Sequence, residues 1–268
     1  MKINLLVIVL SAAFAIAISF SADNSSARKF QQATTWTATQ TWLNINNIST
    51  TFSNDGWSDR DRKTGGGGFE FPKGSRRTMV FQSGLLWGAK LGDSLHVGGS
   101  TYISGLQPGT ILSLGVAEDP NLPKNRIYRV RPDYATADLS SEARDEGRTQ
   151  AEIRAQYALD WSRWPASDGA PFEDRNNNGT YEPGIDVPGK NGVDQTIWFV
   201  CNDLDTARTL GLYGTRPIGI EMQVTIWGYN REGALGNTLF KNYRLINKST
   251  TRFDSLLVCQ WVDYDLGY

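Results

Sequence analysis

Short apolar runs separated by Gly, Asn and Asp dominate most of this chain. Over residues 34–52 polar Thr and Asn alternate with Trp, Leu and Ile, and over residues 78–115 short aliphatic and aromatic runs recur between Gly-containing turns. The same pattern continues at residues 126–130, 196–200, 218–229, 238–246 and 255–262. Period-two alternation and short runs bounded by turn residues are typical of antiparallel strands. We therefore predict a mainly β fold, an antiparallel β-sandwich-like domain.

One segment carries a helical pattern instead. Thr149 and Glu152 match a capping box, in which each side chain satisfies a free backbone amide at a helix start. The apolar stripe that follows consists of Ile153, Tyr157, Trp161 and Trp164. Its spacing predicts one short helix that ends at Pro165. Residues 165–195 are rich in Gly, Pro, Asn and Asp, so we predict a helix-and-loop insertion over 135–195 within one β-rich domain of residues 34–268, with two sub-lobes as the alternative.

The sequence pattern of the N-terminal region predicts a signal peptide. Lys2 precedes an almost continuous apolar stretch over residues 3–20, and the small residues Ser19 and Ser21 follow the rule for a cleavage site. The alternative is an uncleaved anchor, because the apolar run approaches the roughly 20 residues that span a bilayer. The polar residues 22–29 favour cleavage. We predict a signal peptide over 1–21, a linker over 22–33, and a secreted or cell-surface, outer-membrane-associated protein with no stable membrane span after cleavage.

Charge and composition exclude several classes of function. Lys and Arg number 27 against 28 Asp and Glu, a net charge of −1, which gives no field for a nucleic-acid partner. The single histidine, His96, argues against multi-His metal sites and His-dependent catalysis. Cys201 and Cys259 both lie in runs that predict buried strands, and two alternatives stay open for them. In an exported protein they form a disulfide, or they are separate buried thiols.

The most chemically suggestive stretch is a loop of alternating oxygen donors. The candidate metal ligands are Asp174, Asn176, Asn178, Thr180, Glu182 and Asp186. Alternating oxygen ligands followed by a glycine, here Gly179, are typical of calcium loops. The stretch departs from the EF-hand pattern because Ile185 takes the place of the last acidic ligand and no helices are predicted on both sides. Its low charge predicts weak affinity, on the order of 10⁻⁴–10⁻³ M; the alternative is a solvated turn of good turn formers.

Three D-x-D pairs and nine tryptophans add further candidates. The acidic pairs are Asp59 and Asp61, Asp203 and Asp205, and Asp263 and Asp265. Each pair is a set of turn acids, a metal-ligand pair, or the two carboxylates of a glycosidase, and no acid/base pair can be assigned. We therefore predict no catalytic residues. Most tryptophans lie in apolar runs that predict core positions, and Trp57 and Trp164 are the surface candidates for sugar stacking.

Several segments together resemble a known group of proteins. They are Phe71-Pro-Lys-Gly74, Ser83-Gly-Leu-Leu-Trp-Gly-Ala89, Asp194-Gln-Thr-Ile-Trp-Phe-Val-Cys-Asn-Asp203, Pro217-Ile-Gly-Ile-Glu221, Tyr243-Arg-Leu-Ile-Asn-Lys-Ser249 and Trp261-Val-Asp-Tyr-Asp-Leu-Gly267. These segments resemble the amino-terminal β-rich domain of large uncharacterised secreted or surface proteins of bacteria with type IX secretion. Such proteins continue into a carboxy-terminal sorting domain, so the resemblance implies that a chain stopping at Tyr268 is truncated.

Taken together, these features predict an extracellular or cell-surface β domain with a structural or adhesive role and no catalysis. Calcium is the candidate cofactor, and cell-surface glycans or other surface proteins are the candidate partners. The alternative is a carbohydrate-binding module or glycoside hydrolase that uses exposed Trp and the D-x-D acids.

Overall fold

A computed structural model describes residues 2–8 and 40–265 of the chain. The predicted linker 22–33, the predicted cleavage site after Ser21 and Trp36 lie outside these residues. Within them the mainly β, antiparallel fold class is confirmed, since every sheet consists of antiparallel strands and helices form the smaller share.

The described residues contain the following strands and helices, numbered along the chain. The strands are β1 (Lys2–Ile8), β2 (Gln40–Leu43), β3 (Thr50–Ser53), β4 (Phe69–Glu70), β5 (Thr78–Leu91), β6 (Ser94–Gly99), β7 (Gln107–Pro108), β8 (Ile111–Ser113), β9 (Val116–Ala117), β10 (Tyr128–Val130), β11 (Phe172–Glu173), β12 (Val187–Pro188), β13 (Gln195–Asn202), β14 (Ile220–Gly228), β15 (Leu239–Asn247) and β16 (Ser255–Tyr264). The helices are α1 (Ser140–Glu146), α2 (Gln150–Ser162) and α3 (Thr206–Tyr213), with 3₁₀ turns at Ala166–Asp168 and Leu235–Asn237.

The larger sheet has the strand order β1-β15-β14-β13-β10, and β7 also pairs with β13. Strand β13 lies between β14 and the short strands β7 and β10, and Cys201 stands opposite Met222 in its ladder with β14. All of its residues are buried. A strand with neighbours on both edges and cover on both faces explains the unbroken apolar run in its sequence.

The smaller sheet has the order β16-β5-β4, with β6 forming a hairpin with β5. Strand β5 is 14 residues long and joins apolar runs that the sequence pattern predicts as separate. Strand β16 runs antiparallel to β5 from Ser255 opposite Lys90 to Val262 opposite Ser83, and the register shifts between Asp263 and Tyr264. Among the strands of the described residues, β16 pairs only with β5 and is therefore an edge strand of this sheet.

The main core lies between side chains of the two sheets. Leu85 and Trp87 of β5 belong to the same buried cluster as Ile197 and Phe199 of β13. Each of these side chains is almost fully removed from water. At about 1.5–3 kcal/mol for each large apolar side chain, this shared core is the main source of stability.

Helices α1 and α2 cover the β10 end of the larger sheet, whereas α3 packs against β6 of the smaller sheet. The predicted capping box is present, because Thr149 Oγ1 accepts the amide of Glu152 and the Glu152 carboxylate accepts the amide of Thr149 at 2.8 Å. Ile153 and Tyr157 of α2, the helix that this capping box begins, are buried. The prediction of one helix is wrong, since α1 and α3 are also helical. Helix α1 has few apolar positions to form a stripe, and α3 begins at Asp205, which caps its first turn where the sequence pattern shows only a D-x-D acid.

The N-terminal strand β1 runs antiparallel to β15, from Lys2 opposite Ile246 to Ile8 opposite Phe240. This differs from the prediction that the whole of residues 1–21 lies apart from the fold. The physical reason is that β15 offers an unpaired strand edge that an extended segment can pair with. Signal-peptide cleavage remains a prediction. In the part of the chain that the structure describes, no helix is long and apolar enough to cross a membrane.

The two cysteines are free thiols. Cys201 is buried in β13 of the larger sheet, whereas Cys259 is exposed on β16 of the smaller sheet. The disulfide alternative is therefore corrected: the two thiols belong to different sheets. The prediction that both cysteines are buried is correct for Cys201 only.

Candidate functional site

The calcium-like loop is closed at its base by a short β ribbon. Phe172 pairs with Pro188 and Glu173 with Val187, so the ends of residues 174–186 are held together. Above this base the Phe172 ring meets the Tyr181 ring edge-on, with centroids 5.6 Å apart. The long polar stretch is therefore an ordered loop folded over aromatic side chains.

Asp174 organises the first turn of this loop. Its Oδ1 accepts the amide of Asn178 at 3.2 Å, and its Oδ2 accepts the amide of Gly179 at 2.7 Å. Asn177 and Gly179 both have positive φ angles, 57° and 76°, a backbone conformation that Asn and Gly tolerate best. The chain thereby wraps around the Asp174 carboxylate.

The remaining polar side chains converge on Glu182. The Nδ2 atoms of Asn176 and Asn178 each lie 2.6 Å from Glu182 Oε2. A half-turn of either amide exchanges its oxygen and nitrogen positions, which would place amide oxygens beside the carboxylate. Asn178 Oδ1 also accepts the amide of Thr180 at 2.7 Å. The structure thus brings the side chains of Asn176 and Asn178 to Glu182, on the turn that wraps around Asp174. Carboxylate and amide oxygens are the ligand types that a hard cation prefers.

Asp186 has a different role from the one predicted. It is buried, and its two oxygens accept the amides of Arg175 at 3.0 Å and Glu182 at 2.8 Å. Burial, reinforced by this carboxylate, raises the pKa of Tyr181. With both oxygens on backbone amides, Asp186 fastens the start of the loop to its end and does not join the converging side chains.

The loop offers two carboxylates outside the Asp186 contact, Asp174 and Glu182, together with the amides of Asn176 and Asn178. Across residues 2–8 and 40–265, no group of three or more His, Cys, Asp and Glu side chains is placed to hold a metal. Any cation bound at this loop would therefore depend on Asn176 and Asn178 as well as on the two acids.

A cleft of about 500 Å³ lies beside the loop. Glu173 and Arg175 form one wall, Trp161 from the end of α2 lines it, and Lys190 and Arg231 contribute cationic groups. The Trp161 ring is held by a hydrogen bond from Nε1 to the carbonyl of residue 183 at 3.3 Å. The cleft therefore combines an aromatic side chain with mixed donors and acceptors.

A second cleft of about 360 Å³ is lined by Gly179, Thr180 and Tyr181 of the same loop, together with Trp164 and Ser167. Loop 174–186 thus contributes walls to both clefts. A cation that orders the loop would fix the shape of both.

The two tryptophans predicted to lie at the surface do not present their rings freely to solvent. Trp164 is 4% exposed, and its Nε1 donates to the carbonyl of Pro171 at 2.8 Å, so that prediction is wrong. Trp57 is half-buried, with the guanidinium groups of Arg60 and Arg62 at 5.2 and 4.3 Å from its ring centre. Trp161, the next-to-last residue of α2, lines the cleft instead.

The first D-x-D pair is held by structural contacts. Asp59 is buried and accepts hydrogen bonds from the hydroxyls of Thr50 and Ser83, while Lys241 Nζ lies 3.2 Å away. Asp61 accepts the amide of Lys63 in a tight turn at 2.8 Å. The two carboxylates thus have separate partners.

The second pair is equally engaged. Asp203 is buried and accepts the amides of Ile218, Gly219 and Ile220 at 2.9–3.0 Å. Burial raises the pKa of Asp203 to about 6, opposed by these amides. Asp205 accepts the amide of Arg208 at 3.1 Å as the cap of α3.

In the third pair, Asp263 accepts the hydroxyl of Tyr102 at 2.7 Å, which raises the pKa of Tyr102. Asp265 is exposed. The geometry of all three pairs is that of the turn and strand-end acids that the sequence offered as one alternative.

Sequence reasoning missed a buried charge cluster beneath α1. Arg129 Nη1 lies 2.5 Å from Glu146 Oε1 and donates to the carbonyl of Trp42 at 3.1 Å, and Arg131 donates to Glu142 at 2.7 Å. The signal was present, because Arg129 of β10 and Arg131 directly after this strand are two residues apart and so point to the same face of an extended chain. Removing one partner of a buried pair costs about 3–5 kcal/mol, so this cluster fastens the helical layer to the sheet.

Comparisons with protein-family models, with curated proteins and with solved structures found no match.

Proposed function

We propose that this chain is an extracellular or cell-surface β domain with a structural or adhesive role, in which calcium stabilises loop 174–186. The observation that supports the calcium part is the convergence of Asn176 and Asn178 on Glu182, beside the turn around Asp174, on a loop whose base is already closed. The extracellular part rests on the leader pattern of residues 1–21.

The donor set fits a weakly bound hard cation. Two carboxylates supply the charge, and the amides of Asn176 and Asn178 supply neutral oxygens. Bound calcium would compensate the repulsion between Asp174 and Glu182 and restrict the loop. Since the loop lines both clefts, its order would govern the surface that a partner meets.

Thermal unfolding with and without calcium tests this proposal. At a dissociation constant on the order of 10⁻⁴–10⁻³ M, about 5 mM calcium adds about 1–2 kcal/mol of stability, which raises the melting temperature by about 2–8 °C. A chelator should reverse the shift. Calorimetric titration of the same protein should give one site in that affinity range.

Glu182→Gln should abolish most of the calcium shift because it removes one of the two charges. Glu173→Gln is the matched control, since Glu173 stands at the base of the loop and outside the converging set; its calcium shift should equal that of the parent. A melting temperature that does not respond to millimolar calcium, or an equal loss in both variants, contradicts the proposal.

Export is tested separately, by sequencing the N-terminus of the protein released by its producing cells. A mature chain beginning at Ala22 agrees with the proposal. Retention of Met1 on protein that stays in the cell would refute the extracellular assignment, whatever the calcium result.

A second candidate function, carbohydrate binding, is favoured by the cleft beside the loop. Trp161 offers an aromatic surface, while Glu173, Arg175 and Arg231 offer hydrogen-bonding groups of both kinds, a combination that suits an uncharged polar ligand. The D-x-D acids lend no support to the hydrolase alternative, because the carboxylates of Asp59 and Asp203 are buried and already accept hydrogen bonds from the protein.

A glycan array probed with the purified chain tests this second candidate. Trp161→Ala should lose binding, whereas Trp57→Ala should retain it because Arg60 and Arg62 already occupy the Trp57 ring. Calcium should strengthen binding if the loop shapes the cleft. An array without any retained glycan, or binding that survives Trp161→Ala, argues against it.

A further inference from the structure

Strand β16 presents an unusual sheet edge. One side pairs with β5, and no strand among residues 2–8 and 40–265 pairs with the other side. Its outward positions include Leu257, which is 77% exposed, the exposed Cys259 and the half-buried Trp261. The strand therefore combines an unpaired edge with an apolar outer face.

Natural edge strands are usually protected against pairing with other chains. Charged side chains, especially Lys, together with Pro and β-bulges provide this protection. From Ser255 to Val262 the strand has no charged residue and no Pro, and its irregularity comes only at Asp263 and Tyr264. The edge is thus open over most of its length.

We propose that a second copy of this chain pairs with this edge, β16 against β16 in antiparallel orientation about a two-fold axis at Cys259. The two four-stranded sheets would then form one continuous sheet across the dimer. Leu257 of each copy stands opposite Trp261 of the other, and cross-strand aromatic–aliphatic pairs of this kind stabilise sheets. Such a self-complementary patch is the usual form of a two-fold interface.

The acidic residues select this register. With the axis at Cys259, Asp263 of one copy faces Ser255 of the other, and Asp254 faces Tyr264, so no two acids are opposed. Moving the axis to Gln260 would place Asp263 opposite Leu257. Moving it to Val258 would place Asp254 opposite Val262. Of these three neighbouring registers, only the one about Cys259 keeps both Asp254 and Asp263 away from aliphatic partners.

The same register brings the two Cys259 residues face to face. Directly opposed residues of antiparallel strands have Cα atoms about 4.5–5.5 Å apart, within the roughly 4.4–6.8 Å that a disulfide spans. Glutathione disulfide as oxidant would then join them by thiol–disulfide exchange. Two Cys259 thiols are oxidised to one disulfide, and one glutathione disulfide is reduced to two glutathione thiols, which take up the two protons.

Sedimentation of the purified chain over a range of about 1 µM to 1 mM tests the pairing. One strand pair buries less than the roughly 1,200 Å² of a standard interface, so we expect a weak dimer that forms only at the higher concentrations. Leu257→Lys should raise the dimer dissociation constant at least about tenfold by placing a charge in the pair. Leu95→Lys is the matched control: Leu95 is 66% exposed on β6 of the same sheet, and this variant should dimerise like the parent.

Cross-linking in a glutathione-disulfide buffer provides the second test. The parent should form a disulfide-linked dimer on a non-reducing gel, Cys259→Ser should form none, and Leu257→Lys should form at least about tenfold less although its thiol remains. A parent that stays monomeric and does not cross-link overturns the proposal. So does a dimer that Leu257→Lys leaves intact, or a Cys259 thiol that native protein shields from reagents, which would show that another segment covers the edge.

Discussion

Strands β13 and β16 have similar sequences and opposite environments. Both are runs of β-branched, aliphatic and aromatic residues with one cysteine, and both predict buried strands. In the structure all residues of β13 are buried, whereas β16 alternates between exposed and half-buried positions. The difference is position: within residues 2–8 and 40–265, β13 has strand neighbours on both sides and β16 on only one.

This contrast shows that an apolar run in the sequence indicates how much apolar surface a strand carries. It does not indicate whether the strand lies at the centre or at the edge of a sheet. A central strand uses its apolar side chains on both faces within its own chain. An edge strand with the same composition leaves one row of backbone N–H and C=O groups available for pairing with another chain. For β16 this available edge is the basis of the proposed pairing with a second copy.

The largest expected difference comes from truncating one aliphatic side chain in each strand. Ile197→Ala in β13 should lower the free energy of unfolding by about 2–5 kcal/mol because it leaves a cavity in the shared core. Leu257→Ala in β16 should change it by less than about 0.5 kcal/mol. Denaturant unfolding of dilute protein measures both, and equal losses would mean that β16 is covered in solution.

A smaller difference is expected between the acids that lie at or just beyond the ends of the two strands. Asp203 follows β13, and burial raises its pKa to about 6, against about 3.9 in an unfolded chain. Between these values the folded state keeps a proton that the unfolded state has released. The contribution of Asp203 to the free energy of unfolding should therefore be largest below about pH 4 and fall by up to about 3 kcal/mol as the pH rises through 6.

Asp203→Asn should flatten that slope, since it removes the titrating group. Asp263→Asn is the control from β16, because Asp263 is only half-buried and bonds to the hydroxyl of Tyr102; it should leave the slope between pH 4 and 6 in place. Unfolding curves at a series of pH values measure both. A slope that persists in Asp203→Asn would assign the titration to another buried acid.

Local patterns predicted much of the fold, because their causes are local. The capping box at Thr149 and Glu152 needs only four consecutive residues, and the turn between β5 and β6 needs only the Gly92 conformation. Strand pairing depends on distant residues, so the sequence did not indicate that β5 lies between β16 and β6. Helix α3 was missed because its stabilising contact is a cap at Asp205 and not an apolar stripe.

The candidate site shows the same division. Alternating donors before Gly179 predicted the loop, and the turn around Asp174 follows from nearest neighbours. The burial of Asp186 could not be predicted, because it depends on the ribbon of β11 and β12 closing beneath it. The burial of Trp164 against Pro171 likewise depends on how the chain returns after α2.

The smallest expected difference concerns the two cysteines themselves. Cys201→Ser should destabilise the protein by about 1–2 kcal/mol, because it places a hydroxyl among apolar side chains with only the Met222 carbonyl in reach. Cys259→Ser should change stability by less than about 0.5 kcal/mol under reducing conditions. Burial raises the pKa of the Cys201 thiol, so a thiol reagent should label Cys259 in native protein and Cys201 only after unfolding. Equal labelling of both thiols in the native state would mean that the Cys201 side chain in β13 is as accessible as the Cys259 side chain in β16. That result would contradict the contrast between a buried central strand and an exposed edge strand.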